Sequence, residues 1–324
     1  MRGTLLISLD CEGKWGMADD PSMLGHQSIT DNAIRWAYSQ LLSLLEVNRL
    51  RATFAGVGLF MIGQERAIPY INELSQSRSH REWLAIPSTA VAIGDLDGWF
   101  YEDLPSLVSS SGDHELASHG FSHLPFGTDG ISEDTARFEL NTMQKLSDSG
   151  EWKIRSMVFP RNQVSFTNLL SEYGITKYRG GSVGDGTSHR LRMLGNEFKI
   201  WSKAESIFSG SEVPAGRFLN WRSGGRRVVP SNVTVRRWNQ IMGHAARTGG
   251  CAHLWFHPHN LITGRNQLDL VSRVLRLAGE YVRKGHLYST TFSEVEPPNP
   301  VIEFRRPFEV DREEHDDPVV ERQT

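Results

Sequence analysis

Residues 4–12 read TLLISLDCE, a run of apolar residues that ends in two carboxylates. A near-continuous apolar run of this length is typical of a β-strand that is buried on both faces. Residues 31–48 then place apolar side chains at helical spacing, with Thr30 or Asp31 available as N-cap, and residues 51–57 (RATFAGV) predict a second strand. Strand, helix and strand form a βαβ unit, in which the crossover should be right-handed and the strands parallel.

The alternation of strand and helix continues along the chain. Further strands are predicted at residues 114–118, 155–160, 175–178, 251–256 and 286–290, and further helices at 132–149, 166–173, 235–247 and 267–284. Seven strands with helices between most of them predict an α/β fold, a distorted (β/α)7-type barrel. The barrel should span residues 1–295, with rim insertions at about 75–111 and 180–234 and an extended or disordered tail at 296–324.

The composition argues against several classes of function. With 35 basic and 38 acidic residues the formal net charge is -3, which gives no field suited to nucleic acid or to an anionic membrane surface. The apolar stretch near the N-terminus is too short for a secretion signal, and no stretch approaches the ~20 apolar residues of a membrane span. We therefore expect a cytoplasmic protein in which Cys11 and Cys251 are reduced and buried. The sequence leaves the oligomeric state open.

Polar side chains follow several of the predicted strands directly. Asp10 and Glu12 end the first apolar run. His119 and His123 follow HELAS in the segment SHGFSH, and His257 follows CAHLWF. Because the carboxyl ends of parallel strands meet at one face of an α/β barrel, these side chains should converge there. Two carboxylates and three imidazoles in such a place suggest a hydrolytic metal site.

The two histidines of SHGFSH are candidate metal ligands. Histidines four residues apart on a turn can direct their ring nitrogens at one ion about 2.0 to 2.1 Å away. Glu12 would complete a set of two histidines and one carboxylate, which leaves positions open for water and substrate, as in catalytic zinc sites. Zinc is favoured, although cobalt, nickel or iron also suit these ligands. Asp10 could then act as the base for the metal-bound water; alternatively, Asp10 caps the strand end and Glu12 is a solvated loop carboxylate.

Two more candidates stand at the ends of predicted strands. Arg161, in FPRNQ, could orient a carboxylate base or hold an anionic substrate group, or it could be a surface arginine. His257 could donate a proton to a leaving amine near neutral pH, or it could be a histidine satisfied at the start of a loop. The sequence assigns no role to its neighbour His259.

Taken together, these motifs resemble those of the polysaccharide deacetylases, also called carbohydrate esterase family 4 or NodB-type proteins. SLDCE at residues 8–12 looks like the first motif of that family, RATFAGVG at residues 51–58 resembles its second strand, and HELASHGFSH at residues 114–123 is similar to its histidine motif. The resemblance covers residues 5–292.

The resemblance implies a distorted (β/α) barrel, a divalent metal that is usually zinc, and hydrolysis of an N-acetyl or O-acetyl group on a sugar. The implied metal ligands are Glu12, His119 and His123. The implied catalytic residues are Asp10 as the base, Arg161 as the residue that steadies the base, and His257 as the acid.

The chain departs from the family pattern in three places. The metal carboxylate is Glu12 rather than the commoner aspartate. The arginine motif reads PRNQ at residues 160–163 and lacks the proline and the aromatic residue that usually follow the arginine. The fourth motif, an aspartate and a tryptophan, has no clear match, and Asp185 is only a candidate.

Three functions therefore stay open at the level of sequence. The first is a metal-dependent deacetylase that acts on an N-acetylated sugar, such as a nucleotide-linked or lipid-linked precursor of a surface polysaccharide or O-antigen. The second is a hydrolase of a non-sugar C–N bond, as in a formamide or a ureide. The third is a glycan-binding barrel with impaired catalysis.

Aromatic residues in the two insertions could stack on sugar rings or could pack the insertions onto the barrel; they are Trp83, Trp99, Phe100, Tyr101, Trp201 and Trp221.

Overall fold

The computed structural model describes residues 2–149, 153–181, 202–205 and 210–296. Asp185, Trp201 and the predicted tail from residue 297 onward lie outside these ranges.

A single parallel sheet forms the centre of the molecule. Among the described residues it has nine strands: β1 Gly3–Cys11, β2 Thr53–Gly56, β3 Glu115–Ser118, β4 Ser156–Met157, β5 Lys177–Arg179, β6 Glu212–Val213, β7 Arg217–Phe218, β8 Cys251–Phe256 and β9 Leu287–Thr290. The strand order is β6-β5-β4-β3-β2-β1-β8-β7. Strand β1 is central, because β8 pairs along one of its edges while β9 and β2 share the other. Its side chains are almost all buried, as the apolar run predicts.

The short linker between β6 and β7 shows that the sheet curls into a barrel. These two strands stand at opposite ends of the strand order, yet only Pro214, Ala215 and Gly216 separate them in the chain. An extended chain covers at most about 3.6 Å per residue, so the two edges of the sheet lie within roughly 15 Å of each other. The predicted distorted (β/α) barrel is therefore confirmed. In the described chain, the three-residue linker between β6 and β7 joins the two edges of the sheet.

Helices cover the outside of the sheet. Those described are α1 Asp31–Val47, α2 Gly58–Met61, α3 Gln64–Leu74, α4 Ala85–Ile93, α5 Leu104–Ser110, α6 Glu133–Ser149, α7 Ser231–Thr248, α8 Asn260–Thr263 and α9 Gln267–Arg283. Thr30 caps α1 as predicted, since its side chain accepts a hydrogen bond from the backbone N–H of Ala33. Apolar faces of these helices pack on the outer side of the strands and form the main hydrophobic core.

The prediction of seven strands was two short of the nine observed in the described chain. Strands β6 and β7 fall inside the segment that the sequence suggested was a rim insertion, residues 180–234. Each has only two residues, which is too few for an apolar pattern to reveal, and their pairing with β5 and β8 depends on distant parts of the chain. This part of the predicted insertion therefore belongs to the barrel.

The first predicted insertion carries α4 and α5 and packs tightly on the barrel. Trp83, Trp99 and Tyr101 are buried in it.

Cys11 and Cys251 are free thiols and are also buried. No helix in the described ranges is long and apolar enough to cross a membrane.

Candidate active site

Candidate site residues gather at the carboxyl ends of the central strands. Asp10 is the second-last residue of strand β1, and Glu12 directly follows this strand. His119 comes directly after β3. The register aligns these positions, because Ala55 of β2 pairs with Asp10 on one side and with Ala117 of β3 on the other. Parallel pairing across three adjacent strands thus brings side chains from distant parts of the sequence to one place.

Glu12, His119 and His123 form a compact buried cluster. Glu12 Oε2 lies 3.1 Å from His119 Nε2 and 2.9 Å from His123 Nε2, and the two Nε2 atoms are 3.2 Å apart. Ligands bound at about 2.0 to 2.1 Å around one tetrahedral ion are separated from one another by about 3.3 Å. The three donor atoms therefore have the spacing and the chemistry of a divalent-metal site.

The loop that carries the two histidines is held by a buried carboxylate. Glu139 on α6 accepts hydrogen bonds from the backbone N–H groups of Phe121 and Ser122, both at 2.9 Å, and from the Ser122 hydroxyl at 2.5 Å. His80 Nε2, from the first insertion, donates to the same carboxylate at 3.1 Å. Four donors on one buried carboxylate fix the loop, and with it the two imidazoles.

A backbone carbonyl determines which nitrogen of His119 faces the cluster. His119 Nδ1 donates to the carbonyl oxygen of Val158 at 2.8 Å, so Nδ1 carries the proton and Nε2 points at Glu12. On the other side of the cluster, the indole of Trp83 packs on the ring of His123, with centroids 5.7 Å apart, and its Nε1 donates to the Ser122 carbonyl.

Charge interactions in the cluster oppose the cost of burial. Burial alone would raise the pKa of Glu12, but the positive charges of His257 and His123 and hydrogen bonds from the histidines hold it well below its ordinary value. The pKa of His119 is raised despite burial, because Glu12 and Asp10 face it. The pKa of His123 is lowered, mainly by burial. Metal ligands must be deprotonated, so binding of a cation between this carboxylate and the two imidazoles would release any protons that the imidazoles carry at Nε2.

Asp10 is paired with Arg179, a residue that the sequence analysis did not consider. Nη1 and Nη2 of Arg179 donate to Oδ1 and Oδ2 of Asp10, both at 2.7 Å. Both side chains are buried, and the guanidinium also lies over the Trp255 ring, 4.5 Å from its centroid. Burial raises the pKa of Asp10, but the charge and hydrogen bonds of Arg179 lower it further, so the net shift is downward. Asp10 is therefore ionised across the neutral range.

Arg161 does not contact Asp10, contrary to the prediction from the family likeness. Its guanidinium pairs with Asp19 and lies over the Trp83 ring, 4.8 Å from the centroid. The backbone of Arg161 has a φ of 56°, and its side chain is partly exposed. Arg179, at the end of β5, takes the place expected for Arg161. The rule used for the other candidates, a polar residue at the end of a strand, would have found it.

His257 is the exposed member of the group. Its Nε2 lies 3.3 Å from Glu12 Oε1 and 3.9 Å from Asp10 Oδ2, and 24% of its side chain is exposed. Its ring is stacked on that of His259, with centroids 5.1 Å apart. His259 is buried, and burial together with the charge of His257 lowers the pKa of His259 to about 3, so its ring is neutral.

A polar cleft opens beside the histidine cluster. Its volume is about 970 Å³, and Trp83, Arg161, Asp19, Gln163 and Leu124 are among the residues that line it. Trp83 packs directly on His123, so one wall of the cleft adjoins the histidine cluster. It is large enough for a sugar unit with neighbouring groups.

Scans of protein-family models and of curated proteins find no match for this chain. Solved structures do share its fold. A protein of Mycobacterium smegmatis that is assigned to the polysaccharide deacetylases aligns with a TM-score of 0.56 at 15% identity, over 90% of this chain and 89% of that chain.

The fold is that of the polysaccharide deacetylases. Two further solved structures align with this chain less closely, a family 4 carbohydrate esterase of Streptomyces lividans, solved in complex with acetate, and a family 4 carbohydrate esterase of Streptococcus mutans. The first has a TM-score of 0.41 and 14% identity, over 89% of this chain and 91% of that one. The second has a TM-score of 0.44 and 13% identity, over 90% and 86%. The polysaccharide deacetylase fold thus agrees with the resemblance read from the motifs.

Proposed function

We propose that the protein is a metal-dependent deacetylase that hydrolyses the N-acetyl group, or an O-acetyl group, of a sugar. The observation that carries this proposal is the buried cluster of Glu12, His119 and His123, set beside the ion-paired carboxylate of Asp10 and the accessible imidazole of His257. The same residues match the motifs of the polysaccharide deacetylases, and the substrate class comes from that family.

Glu12, His119 and His123 would hold the ion, and their donor set suits zinc as well as cobalt, nickel or iron. Bound there, a divalent ion supplies Lewis-acid chemistry, because it polarises an acyl carbonyl and makes a nearby water more acidic. Three protein ligands would leave a further position on the ion for water or substrate.

Asp10 takes the proton of the attacking water in this proposal. Arg179 keeps the carboxylate ionised and fixes its plane, while each oxygen retains a further lone pair that can accept a hydrogen bond. His257 then delivers a proton to the leaving amine or alkoxide. Its partial exposure lets it meet the substrate, and its Nε2 lies near both Asp10 and Glu12.

The proposed substrate binds in the polar cleft beside Trp83. Trp83 and the guanidinium of Arg161 stacked on it form one wall, and hydroxyl-rich ligands suit such mixed aromatic and polar linings. A precursor of a surface polysaccharide is the sugar that we favour, as in the sequence analysis.

The test combines metal analysis with a product assay. We expect the purified protein to bind a divalent metal and to release acetate from N-acetylhexosamine oligosaccharides, and we expect Asp10→Asn to lose at least about 10²-fold in kcat. Release of formate or ammonia from non-sugar amides, without acetate release from sugars, would point instead to a different C–N hydrolase. Tight sugar binding without turnover under any metal or pH would contradict catalysis.

A further inference from the structure

The two oxygens of Glu12 face different histidines. Oε2 faces His119 and His123 at 3.1 and 2.9 Å. Oε1 lies on the other side of the carboxylate, 3.3 Å from His257 Nε2. This last distance is again close to the separation of two ligands on one ion. The cluster of Glu12, His119 and His123 therefore involves only Oε2, and Oε1 is left for other contacts.

His259, whose ring is stacked on that of His257, supplies a further donor. It is only 7% exposed, and its Nδ1 has no hydrogen-bond partner among the described residues. Buried polar atoms normally have partners, so an unpaired imidazole nitrogen at the edge of a metal-binding cluster needs an explanation. Glu12, His257 and His259 each offer a ligand atom, and these atoms lie within 4.8 Å of one another.

We propose that Glu12, His257 and His259 form a second divalent-metal site that shares Glu12 with the first, and that an ion in this second site inhibits the enzyme. A bridging carboxylate can serve two ions at once, one through each oxygen. Inhibition follows because an imidazole that coordinates a metal through Nε2 has no proton to give. The claim that the second ion inhibits the enzyme rests on the proposed function, in which His257 is the acid. The claim that a second ion binds does not depend on that function.

The two sites should differ in affinity. Donors of the first site are already 2.9 to 3.2 Å apart and all buried. In the second site His257 is partly exposed, and Glu12 is shared with the first ion, so the second ion meets competition from water and repulsion from the first. We therefore expect the first site to fill first and the second to fill only at higher metal concentration.

Metal stoichiometry is the direct test. Metal-free protein is titrated with Zn²⁺ and, in parallel, with Co²⁺, whose visible spectrum reports coordination, and bound metal is counted by native mass spectrometry. Wild type should bind two equivalents, whereas His259→Ala and His259→Gln should bind one. The matched control is His114→Ala, because His114 precedes β3 at the opposite end of the barrel; it should bind two.

Acetate release separates the two proposals. Activity of the wild type should rise with the first equivalent of Zn²⁺ and fall by about 10²-fold as the second binds, the contribution expected of a general acid. In His259→Ala the activity reached at one equivalent should not fall on further addition. Melting temperatures of all variants show whether each one is folded.

Each outcome has one meaning. A wild type that saturates at one equivalent, or a His259→Ala protein that keeps the second, overturns the second site even when acetate is released. Two equivalents with no fall in activity overturn the inhibition. Two equivalents in the wild type and one in His259→Ala, without acetate release from any sugar, support the second site and contradict the proposed function.

Discussion

At the scale of single residues, the pairing of Asp10 with Arg179 defines the proposed base. An unpaired buried carboxylate would take up a proton, because burial disfavours its charge. The bidentate guanidinium reverses this effect and also fixes the carboxylate plane. Arg161 does neither, since its charge is directed to Asp19 outside the barrel.

Replacing Arg179 should therefore impair catalysis in a pH-dependent way. In Arg179→Met the pKa of Asp10 rises, so the acidic limb of the kcat/KM profile should move to higher pH, and kcat at pH 7 should fall by about 10²-fold or more. Loss of one partner of a buried pair should also cost about 3–5 kcal/mol of stability. Arg179→Lys keeps the charge and should shift the limb less.

Arg161→Met is the matched control for this prediction. It removes an arginine from the neighbouring strand end without touching Asp10, so the pH profile should keep its position. A shift of the acidic limb in Arg161→Met but not in Arg179→Met would show that the assignment of the base partner is wrong.

At the scale of elements, helix α6 positions the loop that carries His119 and His123. Glu139 accepts two backbone and two side-chain hydrogen bonds around Phe121 and Ser122. No sequence pattern indicates this role, because Glu139 looks like any acidic residue on an amphipathic helix. Its burial follows from the contact of α6 with the loop and with His80 of the first insertion.

Glu139→Gln should weaken metal binding without removing a ligand. An amide retains one acceptor oxygen, so part of the network that orients the histidines is lost, and such supporting contacts contribute about 10–100-fold in metal affinity. The measurement is the Kd for Zn²⁺ in competition with a chromophoric chelator. Glu133→Gln, on the exposed first turn of the same helix, should bind as wild type does. Equal affinities of all three proteins would refute the supporting role.

At the scale of the whole molecule, the link between β6 and β7 joins the two edges of the sheet. Gly216 in this link has a φ of 73°, and a Cβ there would lie 2.6 Å from Nδ1 of His253 on β8. Left-handed backbone costs a non-glycine residue about 1–2 kcal/mol, before any clash is counted.

Gly216→Ala should thus destabilise the protein by about 2 kcal/mol or more, measured by urea unfolding. Gly225→Ala is the control, because Gly225 is exposed and has nothing within 4 Å of its Cβ position. Similar unfolding free energies for the two variants would mean that the link does not constrain the barrel.

A chain of buried hydrogen bonds connects this link to the active site. His253 Nδ1 donates to the Pro214 carbonyl at 2.7 Å, so its Nε2 accepts from the hydroxyl of Ser8 at 2.9 Å. Ser8 accepts from Arg179 in turn, at 3.2 Å. Burial and the charge of Arg179 lower the pKa of His253 to about 3.

Acid should therefore weaken the fold through His253. Unfolded histidine binds a proton below about pH 6.5, whereas His253 in the folded barrel does so only near pH 3, so the unfolded state binds more protons between these values. Within this window the residue should contribute a loss of about 1.4 kcal/mol of unfolding free energy per pH unit. In His253→Gln, the dependence of unfolding free energy on pH should be shallower; an unchanged slope would contradict the assignment.

The sequence by itself determined the strand at residues 4–9, the βαβ alternation and the placing of carboxylates and imidazoles after strands. These features are local, since apolar periodicity and the position of a polar residue after a strand can be read in a few residues. Tertiary structure alone decided the two-residue strands β6 and β7, the choice of Arg179 over Arg161, and the supporting role of Glu139. Each of these depends on contacts between segments far apart in the chain, which burial and strand register select and which no local pattern records.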